Sequence, residues 1–339
     1  MGARMKAFGI VDSVPTDRED CFFLFDCATP TILPTDVLVK IHAVAVNPVD
    51  TKVRRMQNSR LDTPRILGWD ASGEIVAMGS EVSGFRVGDA VYYAGDITRP
   101  GCNAAYQSVD ARLIAHKPQR LSFEEAAAMP LTTLTAWEGF ERMNLREGKS
   151  LLILGAAGGV GSIAIQLAKQ SGCHVIATAS RPETRQWCLG LGSDAVIDHR
   201  GDIIAQCRDL GFSQVDAIAN FVDTDGYWDT MVELIAPFGE LFLIVEPKVA
   251  LRIGDPLKAK CVSIIWEFMF ARAKFQTPDR ARQGEILKQA SEWFDAGILR
   301  HTMTTHLGDM SEQTLREAHA CLESGRCMGK IVLSVNHEV

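Results

Sequence analysis

Ala156, Gly158, Gly159, Val160 and Gly161 stand between five apolar residues and a run that keeps Ile163, Ile165, Leu167 and Ala168 on one side, within LLILGAAGGVGSIAIQLAKQ at 151–170. The pattern reads as an apolar strand, a tight turn and a helix N-terminus. Free N–H groups of the first helical turn, and the positive end of the helix dipole, then point at whatever lies over the turn. Gly158 and Gly159 put no side chain between backbone and ligand, and Gly161 lets the helix pack close to the strand. The chemistry this suits is a pyrophosphate, and so a dinucleotide. Read against G-x-G-x-x-G, the first glycine is Ala156, which still permits a tight turn.

The following strand, His174 to Thr178, runs into Ala179-Ser180-Arg181-Pro182. An NAD site would carry an Asp or Glu near there for the ribose 2′-OH. A hydroxyl at Ser180 and a guanidinium at Arg181 suit a 2′-phosphate better. NADP, as NADPH, is therefore expected over NAD, although Glu183 could still serve a ribose. His199, Phe221 and Val245 end later strands where a cofactor edge is expected. A solvent-facing histidine and two core residues would explain them as well.

Other chemistries find little support. The eight histidines (42, 116, 174, 199, 301, 306, 319 and 337) show no metal spacing, and no Gly-x-Ser-x-Gly motif occurs. The nine cysteines form no C-x-x-C pair and are odd in number, so buried or reduced thiols are expected.

The elements that must position these residues fall into two patterns. Residues 1–120 read as short strands (5–11, 37–46, 74–78, 90–93 and 105–109) separated by Gly and Asp turns, which suggests a small β-barrel. Residues 123–143 turn helical, with Ser122 as N-cap and Pro130 as a break. From 151, strands at 151–155, 174–178, 194–198, 215–221 and 239–245 alternate with helices near 160–171, 182–190, 201–209 and 227–235. That alternation is a doubly wound parallel sheet. A bulky apolar stretch at 261–275, a helix over 279–296, a helix over 311–322 and a strand over 330–335 complete the chain.

The 339 residues suit two domains, and 47% hydrophobic with 23% charged residues is ordinary for a globular protein. A net charge of −7 without any Lys/Arg block argues against nucleic-acid binding. The N-terminal residues lack the apolar core of a signal peptide, and no run of about 18 apolar residues suggests a membrane span, so a cytoplasmic protein is expected.

With these residues in hand, the chain resembles the medium-chain dehydrogenase/reductase superfamily. It looks most like the zinc-independent quinone oxidoreductase branch and the group called zinc-type alcohol dehydrogenase-like proteins. The resemblance rests on Val44–Lys52 (VAVNPVDTK), Leu67–Gly73 (LGWDASG), Tyr93–Asp96 (YAGD), Ala156–Gly161, Ala177–Glu183 (ATASRPE), Trp266–Phe270 (WEFMF) and Gly329–Leu333 (GKIVL). It implies an α/β protein with a GroES-like β-barrel catalytic domain, residues 1–125 completed by 271–339, and a Rossmann domain over 126–270. A homodimer is implied as well.

The same resemblance implies that Asn47 lies beside nicotinamide and substrate, with its amide donating to the substrate's carbonyl oxygen. Asp50 and Lys52 would orient that donor or relay a proton, although a surface ion pair accounts for them equally. Thr133 would contact the nicotinamide. Trp69, Tyr93, Trp266 and Phe270, with Phe268 and Phe275, would line an aromatic substrate cleft if they converge, and are core or dimer contacts if they do not. Where zinc-bearing relatives place a Cys and a His-Glu pair, this chain carries Asn47 and Trp69-Asp70, so no metal is expected. The function that follows is NADPH-dependent, zinc-independent hydride transfer to a quinone or an α,β-unsaturated carbonyl. The alternatives are a zinc-dependent alcohol dehydrogenase and an NADPH-binding sensor or regulatory protein with little turnover.

Overall fold

The structure, a computed structural model, describes residues 4–337. Residues 1–3 and 338–339, included in the domain bounds expected above, lie outside the described residues. Two compact units are present: one runs up to Leu134 and resumes at Phe270, and the other is Thr135–Met269.

The first unit is built on a seven-stranded sheet. Its order is Met303–Asp309, Lys330–Ser334, Asp36–Val46, Ala71–Met78, Ala90–Tyr93 and Ile114–His116, with Tyr106–Asp110 also paired to Asp36–Val46. A three-stranded sheet of Phe23–Ala28, Arg4–Ile10 and Arg65–Ile66 accompanies it. The long Asp36–Val46 strand is the spine, because its alternate residues Val37, Val39 and Ile41 are all buried. It ends at Asn47, where Pro48 opens the helix Pro48–Arg55 with a φ suited to a first helical turn.

This unit reaches further along the chain than the sequence boundary at 125. Ser122 caps the helix Phe123–Ala127 by accepting from Glu125 N at 3.1 Å, while the Glu125 carboxylate accepts from Ser122 N at 2.9 Å. Ser72 Oγ donates to Phe123 O at 2.5 Å and Leu131 N donates to Asp70 at 2.8 Å, so this segment belongs with the strands of the first unit. The next helix begins at Pro130 and runs to Arg142, as the proline break implied.

The second unit holds a six-stranded parallel sheet in the order Ala195–Ile197, His174–Thr178, Ser150–Leu154, Val215–Asn220, Ile235–Leu243 and Ser263–Trp266. Ser150–Leu154 is buried at every position, as expected of a central strand covered on both faces. The sixth strand, Ser263–Trp266, lies inside the apolar stretch that the sequence left unassigned. It has only four residues and its two ends are exposed, so no alternation marks it.

The expectation of nine unpaired thiols is corrected at one pair. After the helix Glu312–Glu323 the chain reverses through Gly325, with φ +66°, and Cys321 and Cys327 form a disulfide with Cα atoms 6.1 Å apart.

Candidate active site and cofactor cradle

Strand register explains the buried polar cluster of the first unit. Ile331 stands opposite Val46, so Lys330 arrives beside Asn47 from one neighbouring strand. Val44 stands opposite Ala71, and Ala45 N donates to Asp70 O at 3.0 Å, so Asp70 arrives from the other. The Lys330 ammonium donates to Asp70 Oδ2 at 2.9 Å, to Val46 O at 3.1 Å and to Asn47 Oδ1. Asn47 Nδ2 donates to the same Asp70 oxygen at 2.9 Å and to Ala45 O at 3.3 Å. The other Asp70 oxygen accepts from Leu131 N, at the start of the Pro130–Arg142 helix, at 2.8 Å.

This arrangement corrects the role expected of Asn47. Its amide is 1% exposed, and both of its N–H groups are directed at acceptors within the protein. No hydrogen of that amide is left for a substrate oxygen. Lys52 sits two residues after Asp50 in the Pro48–Arg55 helix and is exposed, in keeping with the surface alternative for it, whereas Asp50 is buried. The lysine of this site is Lys330, which the sequence reading quoted only as part of a motif.

Asp50 is the unusual carboxyl. One oxygen accepts from Asn47 N at 2.6 Å, and the other, Oδ1, is buried without a hydrogen-bond partner among the described residues. Burial raises both Asp50 and Asp70 above the usual carboxylate range. At Asp70 the Lys330 ammonium and the N–H groups of Asn47 and Leu131 oppose that rise. Asp50 is pushed up to about 7, burial and the neighbouring Asp70 outweighing the Asn47 N–H, the Lys330 charge and the Gly68 N–H. Two carboxyls and one ammonium thus share one buried site, and their titrations are coupled.

Tyr93 OH and Thr133 Oγ1 are likewise buried without partners among the described residues. Of the four aromatics considered for a substrate cleft, three lie in the first unit. Trp69, Tyr93 and Phe270 are buried, and the Trp69 and Phe270 rings meet edge to face at 6.2 Å as packing partners. Trp266 belongs to the edge strand of the other unit and is 42% exposed.

The second unit carries the glycine turn. Gly155, directly after the Ser150–Leu154 strand, takes φ +79°, and a Cβ there would fall 2.1 Å from the Val222 side chain. Gly155, rather than Ala156, is therefore the glycine that the turn requires. A Cβ at Gly161 would fall 2.4 Å from Gly155 O, so the helix Gly159–Gln170 rests directly on the turn. At Gly158 nothing is nearer than 3.4 Å, which leaves room above the backbone. The first intrahelical bond runs from Ser162 N to Gly158 O, so the N–H groups of Gly159, Val160 and Gly161 precede it. Thr178 Oγ1 accepts from Gly155 N and donates to Ile153 O, both at 3.1 Å, and staples the next strand to the turn. These features fit the pyrophosphate of a dinucleotide.

Arg181 follows at the end of the His174–Thr178 strand, with its Nε 2.9 Å from the Glu183 carboxylate. Arg200, which the sequence reading passed over, donates to Ser180 O at 3.0 Å and to Asp198 at 2.8 Å. It brings a second guanidinium to Ser180, with exposed His199 beside it. Phe221 packs edge to face on Phe242 at 5.3 Å, and Val245 O accepts from Thr224 Oγ1 at 2.6 Å.

Zinc does not fit the residues present. Asn47 is tied to Lys330 and Asp70, the Trp69 indole donates to Asp96 O, and burial raises the Cys102 thiol and opposes a thiolate. Among the described residues, no group of three His, Cys, Asp or Glu side chains is placed to hold a metal.

Residues 33–123 match the alcohol dehydrogenase GroES-like domain, and residues 159–277 match the zinc-binding dehydrogenase family. The chain belongs to the medium-chain dehydrogenase/reductase superfamily and is an oxidoreductase of that family. It is 39% identical over 338 residues, 98% of this chain and 100% of the relative, to a zinc-type alcohol dehydrogenase-like protein of Staphylococcus aureus. It is 32% identical over 317 residues, 90% of this chain and 73% of the relative, to the 2-methylene-furan-3-one reductase of Solanum lycopersicum. The quinone oxidoreductase structure from Coxiella burnetii superposes with a TM-score of 0.81 at 27% identity, covering 98% of this chain and 100% of that one.

Proposed function

We propose that this oxidoreductase reduces a quinone or an α,β-unsaturated carbonyl with NADPH and without zinc, and that Asp50 supplies the proton. The observation that carries this reading is the Asn47–Asp70–Lys330 cluster: Asn47 and Asp70, at positions where the family resemblance puts ligands in zinc-bearing relatives, are tied to each other and to the Lys330 ammonium. A nicotinamide, when bound, supplies a hydride. The residues of this chain handle charge and protons. Hydride addition to the β-carbon of an enone leaves negative charge on the carbonyl oxygen, which a proton from Asp50 would neutralise, while the Lys330 ammonium holds Asp70 and Asn47 in place beside it. Asp50, protonated up to about pH 7, holds its proton in a buried site with one oxygen unengaged, which suits a general acid. The name of the tomato relative specifies a substrate with a carbon–carbon double bond conjugated to a ketone, which agrees with this class. Ser180, Arg181 and Arg200 support a 2′-phosphate, and hence NADPH.

Metal analysis of purified protein, paired with turnover of an Asp50→Asn variant, tests the reading. Substoichiometric zinc and a large loss of turnover with cofactor binding retained support it. One zinc per chain, or an unimpaired variant, overturns it.

A further inference from the structure

The nine cysteines are not chemically alike. Cys21, Cys102, Cys173, Cys188 and Cys207 are buried. Burial pushes the Cys207 thiol up to about 11 and the Cys188 thiol up to about 12, and raises the other three as well. Such thiols stay protonated and inert. Cys321 and Cys327 are different. They are joined to each other, and Cys321 lies exposed in the last turn of the Glu312–Glu323 helix, within reach of a small thiol.

The ring they close contains Glu323, and Glu323 is a tether. Its carboxylate pairs with Arg54, whose side chain is 2% exposed, and accepts from Thr16 Oγ1 at 3.4 Å. Arg54 also donates to Val14 O and to Cys21 Sγ. It sits in the last turn of the Pro48–Arg55 helix, whose first turn carries Asp50. On the other side of the ring, Lys330 begins its strand three residues after Cys327. The bond thus fixes the place where a buried arginine finds its counter-ion, between the helix of Asp50 and the strand of Lys330.

We propose that Cys321 and Cys327 form a reversible thiol–disulfide modification site for small-molecule thiols of the glutathione class, and that the oxidised form holds Glu323 against Arg54. In the reducing direction, a glutathione thiolate attacks Cys321 Sγ, the Cys321–Cys327 bond breaks and the Cys327 thiolate leaves. A second glutathione thiolate attacks the glutathione sulfur of the mixed disulfide and releases the Cys321 thiolate with one glutathione disulfide. Two electrons and two protons end on the protein thiols, and oxidation by glutathione disulfide reverses both steps.

The test uses the full chain in a Cys261→Ser background, which removes the other exposed thiol. Protein equilibrated across reduced-to-oxidised glutathione ratios is trapped with a maleimide, digested and mapped by mass spectrometry, and its melting temperature is recorded. The expected result is joint protection of Cys321 and Cys327 at oxidising ratios and joint labelling at reducing ones, reached from either direction. The oxidised protein melts higher than the reduced protein, and a Cys327→Ser variant melts with the reduced form in both buffers. Labelling of the pair at every ratio, protection that glutathione does not reverse, or a melting temperature indifferent to the state overturns the proposal.

Discussion

Lys330 and Asp70 are 260 positions apart in the chain and meet at 2.9 Å, with side chains 3% and 0% exposed. The pair joins three adjacent strands and, through Leu131 N, the start of a helix. Removing one partner leaves a buried charge uncompensated. A Lys330→Met variant should lose about 3–5 kcal/mol of stability. The Asp70→Asn, Lys330→Met double variant should lose less than the sum of the single changes. Urea unfolding of the four proteins measures this, and strict additivity would show that the pair is not energetically coupled.

Asp50 gives a pH dependence of definite sign. Its folded-state value of about 7 lies above its ordinary 3.8, so the folded state binds the proton more tightly than the unfolded state. The stability this contributes is complete below 3.8 and is lost as pH rises toward 7. An Asp50→Asn variant should therefore gain stability relative to the parent between pH 5 and pH 8. In the parent, turnover should decline above about pH 7. A variant whose stability difference stays flat over that range would contradict the raised value.

His319 should act in the opposite sense. It packs edge to face on Phe22 at 4.9 Å, and neither ring nitrogen has a partner among the described residues. Burial, with a smaller push from Arg54, lowers it from 6.5 to about 3. The folded state is unpenalised above 6.5 and loses stability as pH falls below it, because only the unfolded chain takes up the proton readily. A His319→Leu variant should show a shallower fall in melting temperature between pH 7 and pH 5. An identical pH slope in both proteins would remove His319 from the acid response.

Cofactor choice should depend on the two strand-end guanidiniums. Loss of one charge-assisted contact to a phosphate corresponds to roughly a tenfold weakening or more. Arg181→Ala and Arg200→Ala should weaken NADPH binding by that order and leave NADH binding nearly unchanged, as read by calorimetric titration. Equal losses for both cofactors would mean that neither residue reads the 2′-phosphate.

The glycine turn and the alternating strands were legible because they depend on local rules. A buried parallel strand reads as a continuous apolar run, and a helix packed on a turn demands Gly161. A motif that begins at Ala156 passes over Gly155, although a glycine directly after a strand is itself a mark of a positive φ. Asn47 and Asp50 could be singled out from one segment, but what they do depends on Lys330, 283 positions from Asn47. No local pattern announces that register. Lys52, two residues from Asp50 and of the same charge as Lys330, lies on the exposed face of the helix, while Lys330 reaches the buried cluster from a distant strand. The disulfide was hidden for a similar reason: only the reversal at Gly325 brings the two cysteines together.

The most direct test of metal-free conjugate reduction is NADPH oxidation in the presence of a strong chelator, with quinones, short enals and saturated aldehydes compared side by side. Turnover of quinones or enals that survives the chelator, with saturated aldehydes inert, is the expected result. Reduction of saturated aldehydes that the chelator abolishes would contradict the account.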